Sequence, residues 1–133
     1  MHRPLLVILL LCTIPAYAAG NASVICTYFT LDDAREVLKR CGKSVDSDRN
    51  QRYIKLHTAL EQFILKNGPV DVGDVIAEQR RATHARLASP DTCEGRDFSF
   101  FNQVFEQLTS PAGTAELLEN LKTPKDPMKG DCL

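Results

Sequence analysis

Apolar residues along this chain recur at spacings of three and four positions, and no segment alternates apolar and polar residues as a half-buried strand does. The spacing predicts helices throughout and therefore an all-α fold. Helix-breaking residues divide the pattern into five segments. We therefore expect a small up-and-down bundle of about five helices. The breaks lie at Gly42, Gly68-Pro69, Ser89-Pro90 and Ser110-Pro111.

The first two predicted helices have clear signals at their ends. Thr30 is the expected N-cap of the first helix, with Asp33 at the capping-box position and Gly42 as the stop. Asp32 and Asp33 would then complement the positive end of the helix dipole. The second helix is predicted over residues 47–67 and is the longest, so we expect it to be central. Its buried side is predicted to carry Tyr53, Ile54, Leu56, Leu60, Phe63 and Ile64.

The last three predicted helices differ in how much apolar surface they carry. Asp71 is the expected cap of the third, which has a thin apolar stripe and reaches about Ala88. Asp97 is the expected cap of the fourth, which carries a wide apolar arc. Ser110, followed by a first-turn proline, is the expected cap of the fifth. The fourth helix would bury Phe98, Phe101, Val104, Phe105 and Leu108, and the fifth Ala115, Leu118 and Leu121.

The start of the chain has the pattern of a secretory signal peptide. Arg3 precedes an apolar run over residues 5–11, and residues 16–18 read Ala-Tyr-Ala, an A-x-A cleavage signal. We expect residues 1–18 to be removed after Ala18, leaving residues 19–133 as one periplasmic or secreted domain. The apolar run is much shorter than the roughly 20 residues that cross a membrane, so no stable membrane anchor is predicted.

Four cysteines remain after this cleavage, which predicts two disulfides in an oxidising compartment. In an up-and-down bundle the end of the first helix and the end of the third lie together, so Cys41 should pair with Cys93. The tail, about residues 123–133, lacks helical periodicity and should run back as an extended strap, which pairs Cys132 with Cys26. The rival pairing of Cys26 with Cys41 would require the leader to fold back along the first helix.

The overall charge does not indicate a nucleic acid as the partner. Lys and Arg number 16 against 17 Asp and Glu, a formal net charge of −1. Asn21-Ala22-Ser23 matches a glycosylation sequon, which is meaningful only if the source has a eukaryotic secretory pathway.

The sequence contains no catalytic or cofactor signature. His57 and His84, the two histidines after the signal segment, stand at no metal-ligand spacing, so we expect neither a metal site nor a cofactor. We interpret His57 as a half-buried side chain bonded to a neighbour, and the basic group around His84 as a solvated helix end. An enzyme using either histidine as general base is the third hypothesis, because no partner residue stands at a set spacing.

Because the sequence has no catalytic signature, the first hypothesis is a non-enzymatic binding module. It would recognise another exported protein as an inhibitor, immunity protein, chaperone or adaptor. Its expected surface is the thinly packed third helix together with an edge residue of the fourth. The alternative is a carrier of a small apolar ligand, held between helices and lined by the phenylalanine-rich fourth helix. The candidate partner-binding residues are Gln79, Arg80, His84, Arg86 and Phe100.

Overall fold

The computed structural model describes residues 22–132, and within them the fold is all-α with five helices and two disulfides, as predicted. Over this range no β-strand forms, and the sole extended pairing is an isolated parallel bridge between Ala22 and Asp131. The helices are α1 (Val24–Arg40), α2 (Ser47–Asn67), α3 (Val72–Leu87), α4 (Gly95–Leu108) and α5 (Pro111–Asn120), and a short 3₁₀ helix spans Pro90–Cys93.

The predicted start of α1 at Thr30 is wrong, because the helix begins two turns earlier. Ser23 is the N-cap, and its hydroxyl accepts a hydrogen bond from the Cys26 amide at 3.1 Å. The Thr30 hydroxyl lies inside the helix and donates to the Cys26 carbonyl at 2.8 Å. Asp32 and Asp33 are therefore mid-helix residues, too far from the N-terminus to gain from its dipole.

The centre of the bundle is α1 rather than α2, which corrects the expectation from length. Helix α1 contacts α2, α3, α4 and the 3₁₀ helix, so its core positions are covered on several sides. We attribute this to an apolar pattern that continues N-terminal to Thr30 and lets the helix run through the middle of the domain. Residues of α1 with at most 1 % exposure are Tyr28, Leu31, Ala34, Val37 and Leu38.

Helix α2 has the predicted bounds, and one of its predicted core residues is on the wrong side. Asp46 caps it by accepting from the Arg49 amide at 2.9 Å. Ile54 is 53 % exposed, because it stands two residues, or about 200°, from buried Leu56. The inward residues of α2 with the lowest exposure are Leu56, Leu60, Phe63 and Ile64.

Helix α3 packs by a narrow stripe. Asp71 stands at its N-cap position but makes no side-chain capping bond. The helix contacts α1 and α2, and most of its surface is exposed. The buried residues that we call the α3 stripe are Val72, Ile76, Thr83 and Leu87.

Helices α4 and α5 begin close to their predicted starts. Helix α4 starts at Gly95, whose φ of 72° suits glycine, so Asp97 lies in the first turn rather than at the cap. Ser110 caps α5 as predicted, accepting from the Gly113 amide at 3.0 Å. The buried face of α5 is shifted by one residue from the prediction: Thr114 and Leu117 are buried and Ala115 is exposed.

Both disulfides join the predicted cysteines. Cys41 at the end of α1 pairs with Cys93, and Cys26 pairs with Cys132. After α5 the chain runs without helix to Cys132, and this strap lies along the start of α1, where the Ile25 amide donates to the Pro127 carbonyl at 3.1 Å. Two disulfides indicate that the protein folds in an oxidising compartment.

The predicted cleavage after Ala18 and the sequon at Asn21 lie outside the described residues. Within residues 22–132, no helix is both long enough and apolar enough to span a bilayer.

Candidate functional site

Three helices meet at one carboxylate of α1. His57 Nε2 of α2 lies 3.0 Å from Asp32 Oδ1, and Arg80 Nε of α3 lies 3.5 Å from Asp32 Oδ2. The Arg80 guanidinium also donates through Nη2 to the Tyr28 hydroxyl. We call Tyr28, Asp32, His57 and Arg80 the polar network, and it ties α2 and α3 to the central helix.

The imidazole of this network is packed between aromatic rings. The Tyr28 ring centroid lies 4.8 Å from that of His57, and the Tyr53 centroid lies 5.3 Å from it. Arg35 stands 5.9 Å above the Tyr53 ring, in cation–π geometry. Burial raises the pKa of Tyr53 to about 12 and also raises that of Tyr28, so both phenols are protonated at neutral pH.

Asp32 is held as an anion by its two partners. Burial acts to raise the pKa of Asp32, but the hydrogen bond from His57 and the charge of Arg80 outweigh burial and lower it. Burial likewise acts to lower the pKa of Arg80, and the Asp32 carboxylate outweighs it, so the pKa of Arg80 is raised. The Asp32–Arg80 contact is therefore an ion pair at neutral pH.

The neighbouring carboxyl, Asp33, is in the opposite situation. Its side chain is 14 % exposed and lies 3.8 Å from Arg86 Nη2. Burial raises the pKa of Asp33 to about 6, because the distant Arg86 and the Thr83 hydroxyl offset only part of the desolvation. Arg86 itself is 66 % exposed, so most of its charge faces solvent.

The four candidate residues on α3 do not form one patch. At about 100° per residue, Gln79 and Arg86 lie on one edge of the α3 stripe, whereas Arg80 and His84 lie on the other. Gln79 is exposed and His84 is half-buried. Phe100, on α4, is 46 % exposed with its ring centroid 5.3 Å from that of Phe101.

The second half of α3 carries positive charge without a carboxylate of its own. Residues 80–87 include three arginines and His84 but neither Asp nor Glu. Arg81 is 73 % exposed and pairs with Glu78 one turn earlier. Because Asp32 and Asp33 are largely covered, at 16 % and 14 % exposure, the charge that this half of α3 presents to solvent is positive.

His57 is half-buried and bonded to a neighbouring side chain, as predicted, but the sequence did not identify Asp32 as its partner. The two residues are 25 positions apart on different helices, and Asp32 was expected to serve a helix end. One signal in the sequence could have indicated a partner for Asp32. Asp32 directly follows Leu31, which is fully buried, and a partly buried carboxylate needs a partner.

A carboxylate-bound imidazole is also an arrangement used in general-base catalysis. Among the described residues no Ser, Thr or Cys side chain is hydrogen-bonded to His57, and Asp32 is already neutralised by Arg80. The geometry thus favours a structural link between helices. Across residues 22–132 no group of three or more His, Cys, Asp or Glu is placed to hold a metal ion.

The site is therefore a cationic helix face held on a partly buried polar network. Comparison of the chain with protein-family models, with curated proteins and with solved structures finds no match among any of the three.

Proposed function

We propose that this chain is an exported, non-enzymatic binding module that recognises an acidic surface on another periplasmic or secreted protein. An inhibitor, immunity protein, chaperone or adaptor would all fit this description. The compartment rests on the signal-like residues 1–18 and on the two disulfides. The recognition rests on α3.

The observation that carries the proposal is the exposure of two arginines on the second half of α3. Arg81 and Arg86 expose 73 % and 66 % of their side chains, and the carboxylates that face this helix from α1 are covered. Exposed charges of one sign favour partners of the other sign and speed their encounter. An acidic surface is therefore the favoured partner.

The polar network supports this role by fixing the helix that presents the charge. Arg80 is held by Asp32 and Tyr28, and the Arg40 guanidinium donates to the His84 carbonyl at 3.4 Å. A surface that is already ordered loses less conformational entropy on binding. Helix α3 is thus presented in one orientation although its apolar stripe is narrow.

The test is capture of a partner from the source's exported proteins by the oxidised mature chain. Arg81→Glu with Arg86→Glu should lower the captured amount by roughly tenfold or more, because two exposed cations become anions. Lys125→Glu with Lys129→Glu, on the exposed strap, is the matched control with the same charge change. Arg80 is left intact, since Glu at position 80 would face Asp32 and disturb the fold.

Far-ultraviolet circular dichroism must first show that both double variants are folded. Capture that falls with the α3 variant, persists with the strap variant and weakens with added salt supports the proposal. Equal capture by both variants would place the binding surface elsewhere. If the oxidised mature chain captured no protein at all, the hypothesis of a binding module would be contradicted.

A second candidate function is carriage of a small apolar ligand, and a groove of about 330 Å³ between α2 and α5 favours it. The groove has no lining residue from α4, so its apolar surface comes from α2, α5 and the residues after α5 rather than from the phenylalanines of α4. Solvent extraction of the purified protein should then yield a lipid that Leu118→Gln with Leu121→Gln no longer retains. The apolar lining consists of Ala59, Phe63, Leu118, Leu121 and Pro124.

A further inference from the structure

A second cavity, of about 230 Å³, lies away from α3, between the α1–α2 connection and α4. Its floor lies over the core: Leu38 and Phe105 are each 1 % exposed and Val45 packs against the core, so the accessible lining is mostly polar. Residues 43–46 and Arg49 form one wall, while Asn102 and Glu106, one turn apart on α4, form the other.

The two walls of this cavity carry opposite charges. Lys43 and Arg49 lie on the side of the α1–α2 connection, and Glu106 lies on the side of α4. Among the described residues neither Lys43 nor Glu106 takes part in a salt bridge. Both charges are therefore available to a ligand.

Asp46 shares the first wall but is already engaged. One carboxylate oxygen accepts from the Arg49 amide at 2.9 Å, and the other lies 3.8 Å from Arg49 Nε. These contacts hold the Arg49 side chain, which is 26 % exposed, at the mouth of the cavity. The wall consequently presents a positioned guanidinium.

We propose that this cavity binds a free α-amino acid through its two charged groups. The carboxylate of the ligand pairs with Arg49 and Lys43, and its ammonium group pairs with Glu106 and the Asn102 amide oxygen. A ligand with one charge would leave the opposite wall unpaired, which is why a zwitterion is favoured.

The size of the cavity supports a ligand of this class. A volume of about 230 Å³ corresponds to roughly eight water molecules at about 30 Å³ each. Pockets for drug-sized ligands begin at about 300 Å³, so this one suits something smaller. No residue of α3 lines this cavity, so ligand binding here is independent of the proposed protein-binding function.

The test is a titration of the oxidised mature protein with L-leucine, followed by amide chemical shifts. Saturable shifts are expected at residues 43–49 and 102–106. N-acetyl-leucine lacks the ammonium group and leucinamide lacks the carboxylate, so each should bind roughly tenfold more weakly or worse. Equal binding of all three ligands, or an absence of saturable shifts at millimolar leucine, would overturn the proposal.

Two variants separate the roles of the walls. Glu106→Gln should weaken leucine binding by roughly tenfold, because it removes the charge that pairs with the ammonium group of the ligand. Arg49→Gln should weaken leucine binding by a similar factor, because it removes a charge that pairs with the carboxylate. Glu116→Gln, an exposed residue outside the cavity, is the matched control and should bind as the unaltered protein does. Thermal unfolding of each variant shows that it is folded; unchanged affinity in both folded wall variants would contradict the assignment.

Discussion

Helices α1 and α3 are of nearly equal length but are held in different ways. Helix α1 is covered by three other helices and the 3₁₀ turn, and five of its residues are at most 1 % exposed. Helix α3 buries a narrow stripe. Its other links to α1 are a few polar contacts, among them those of Asp32 and Asp33, and the disulfide that follows it. Helix α1 therefore carries the fold, while α3 is a peripheral helix whose position depends on a few contacts.

The largest expected effect comes from removing the link at the end of α3. Cys41→Ala with Cys93→Ala opens a loop with a sequence separation of 52 residues, which in the chain-entropy model costs about 4 kcal/mol. Beyond this global loss, hydrogen exchange should show protection falling more in α3 than in α1, because α3 loses an anchor that α1 does not need.

Removal of the other disulfide is the matched control for that experiment. Cys26→Ala with Cys132→Ala should cost a similar amount, about 4 to 5 kcal/mol, since its sequence separation is 106 residues. It frees the strap from the start of α1 and should leave the relative protection of α3 unchanged. Selective loss of α3 protection in this variant would contradict the difference drawn between the two anchors.

The next largest effect compares one apolar side chain from each helix. Leu31→Ala in α1 should lower the free energy of unfolding by about 3 kcal/mol, because Leu31 is fully buried and its loss leaves a cavity. Val75→Ala in α3 should change it by less than about 0.5 kcal/mol, since Val75 is 40 % exposed. Urea unfolding measures both, and a cost for Val75→Ala approaching that of Leu31→Ala would show that α3 is packed more tightly than described.

The same contrast explains how much of the fold could be predicted. The end of α2 and the start of α5 could be predicted because Gly68 and Ser110 stop or cap a helix through contacts with adjacent residues alone. The start of α1 was misplaced because Thr30 and Asp33 imitate a capping box, while the true cap, Ser23, precedes a stretch covered by the distant strap. Local signals determine helix ends unless a tertiary contact extends the helix.

The site was less predictable than the fold for a related reason. The positive charge of α3 follows directly from residues 80–87, so this helix could be identified from the sequence as a candidate binding surface. Which edge each side chain takes depends on where the buried stripe lies, and the partners of Asp32 depend on how three helices meet. Neither can be read from a single segment of sequence.

The neighbouring carboxyls Asp32 and Asp33 should show opposite dependence on pH. The pKa of Asp33 rises from 3.8 to about 6 on folding, so its favourable contribution is complete below pH 4 and is lost as pH rises through 6. Asp33→Asn should therefore gain stability relative to the unaltered protein between pH 4 and 7, by an amount on the order of 2 kcal/mol. Urea unfolding across this range measures the difference.

Asp32→Asn is the control with the reverse sign. The pKa of Asp32 is lowered from 3.8, so its contribution is present above that pH and is lost as pH falls through the lower folded value. This variant should cost about 1 to 3 kcal/mol at neutral pH, because Arg80 and His57 lose a charged partner, and progressively less in acid. If both variants changed stability in the same direction with pH, the two carboxyls would not be held as described.

The smallest expected effect distinguishes the N-termini of the two helices. Ser23 is buried and its hydroxyl satisfies the Cys26 amide, so Ser23→Ala should cost about 1 kcal/mol. Asp71 makes no side-chain capping bond to α3, so Asp71→Ala should cost less than about 0.5 kcal/mol. Ser110→Ala, which removes a capping bond of 3.0 Å at α5, calibrates the measurement at about 1 kcal/mol. If Asp71→Ala lowered the free energy of unfolding as much as Ser110→Ala, Asp71 would cap α3 in solution. The start of α3 would then be anchored as firmly as that of α1, and the two helices would differ less than described.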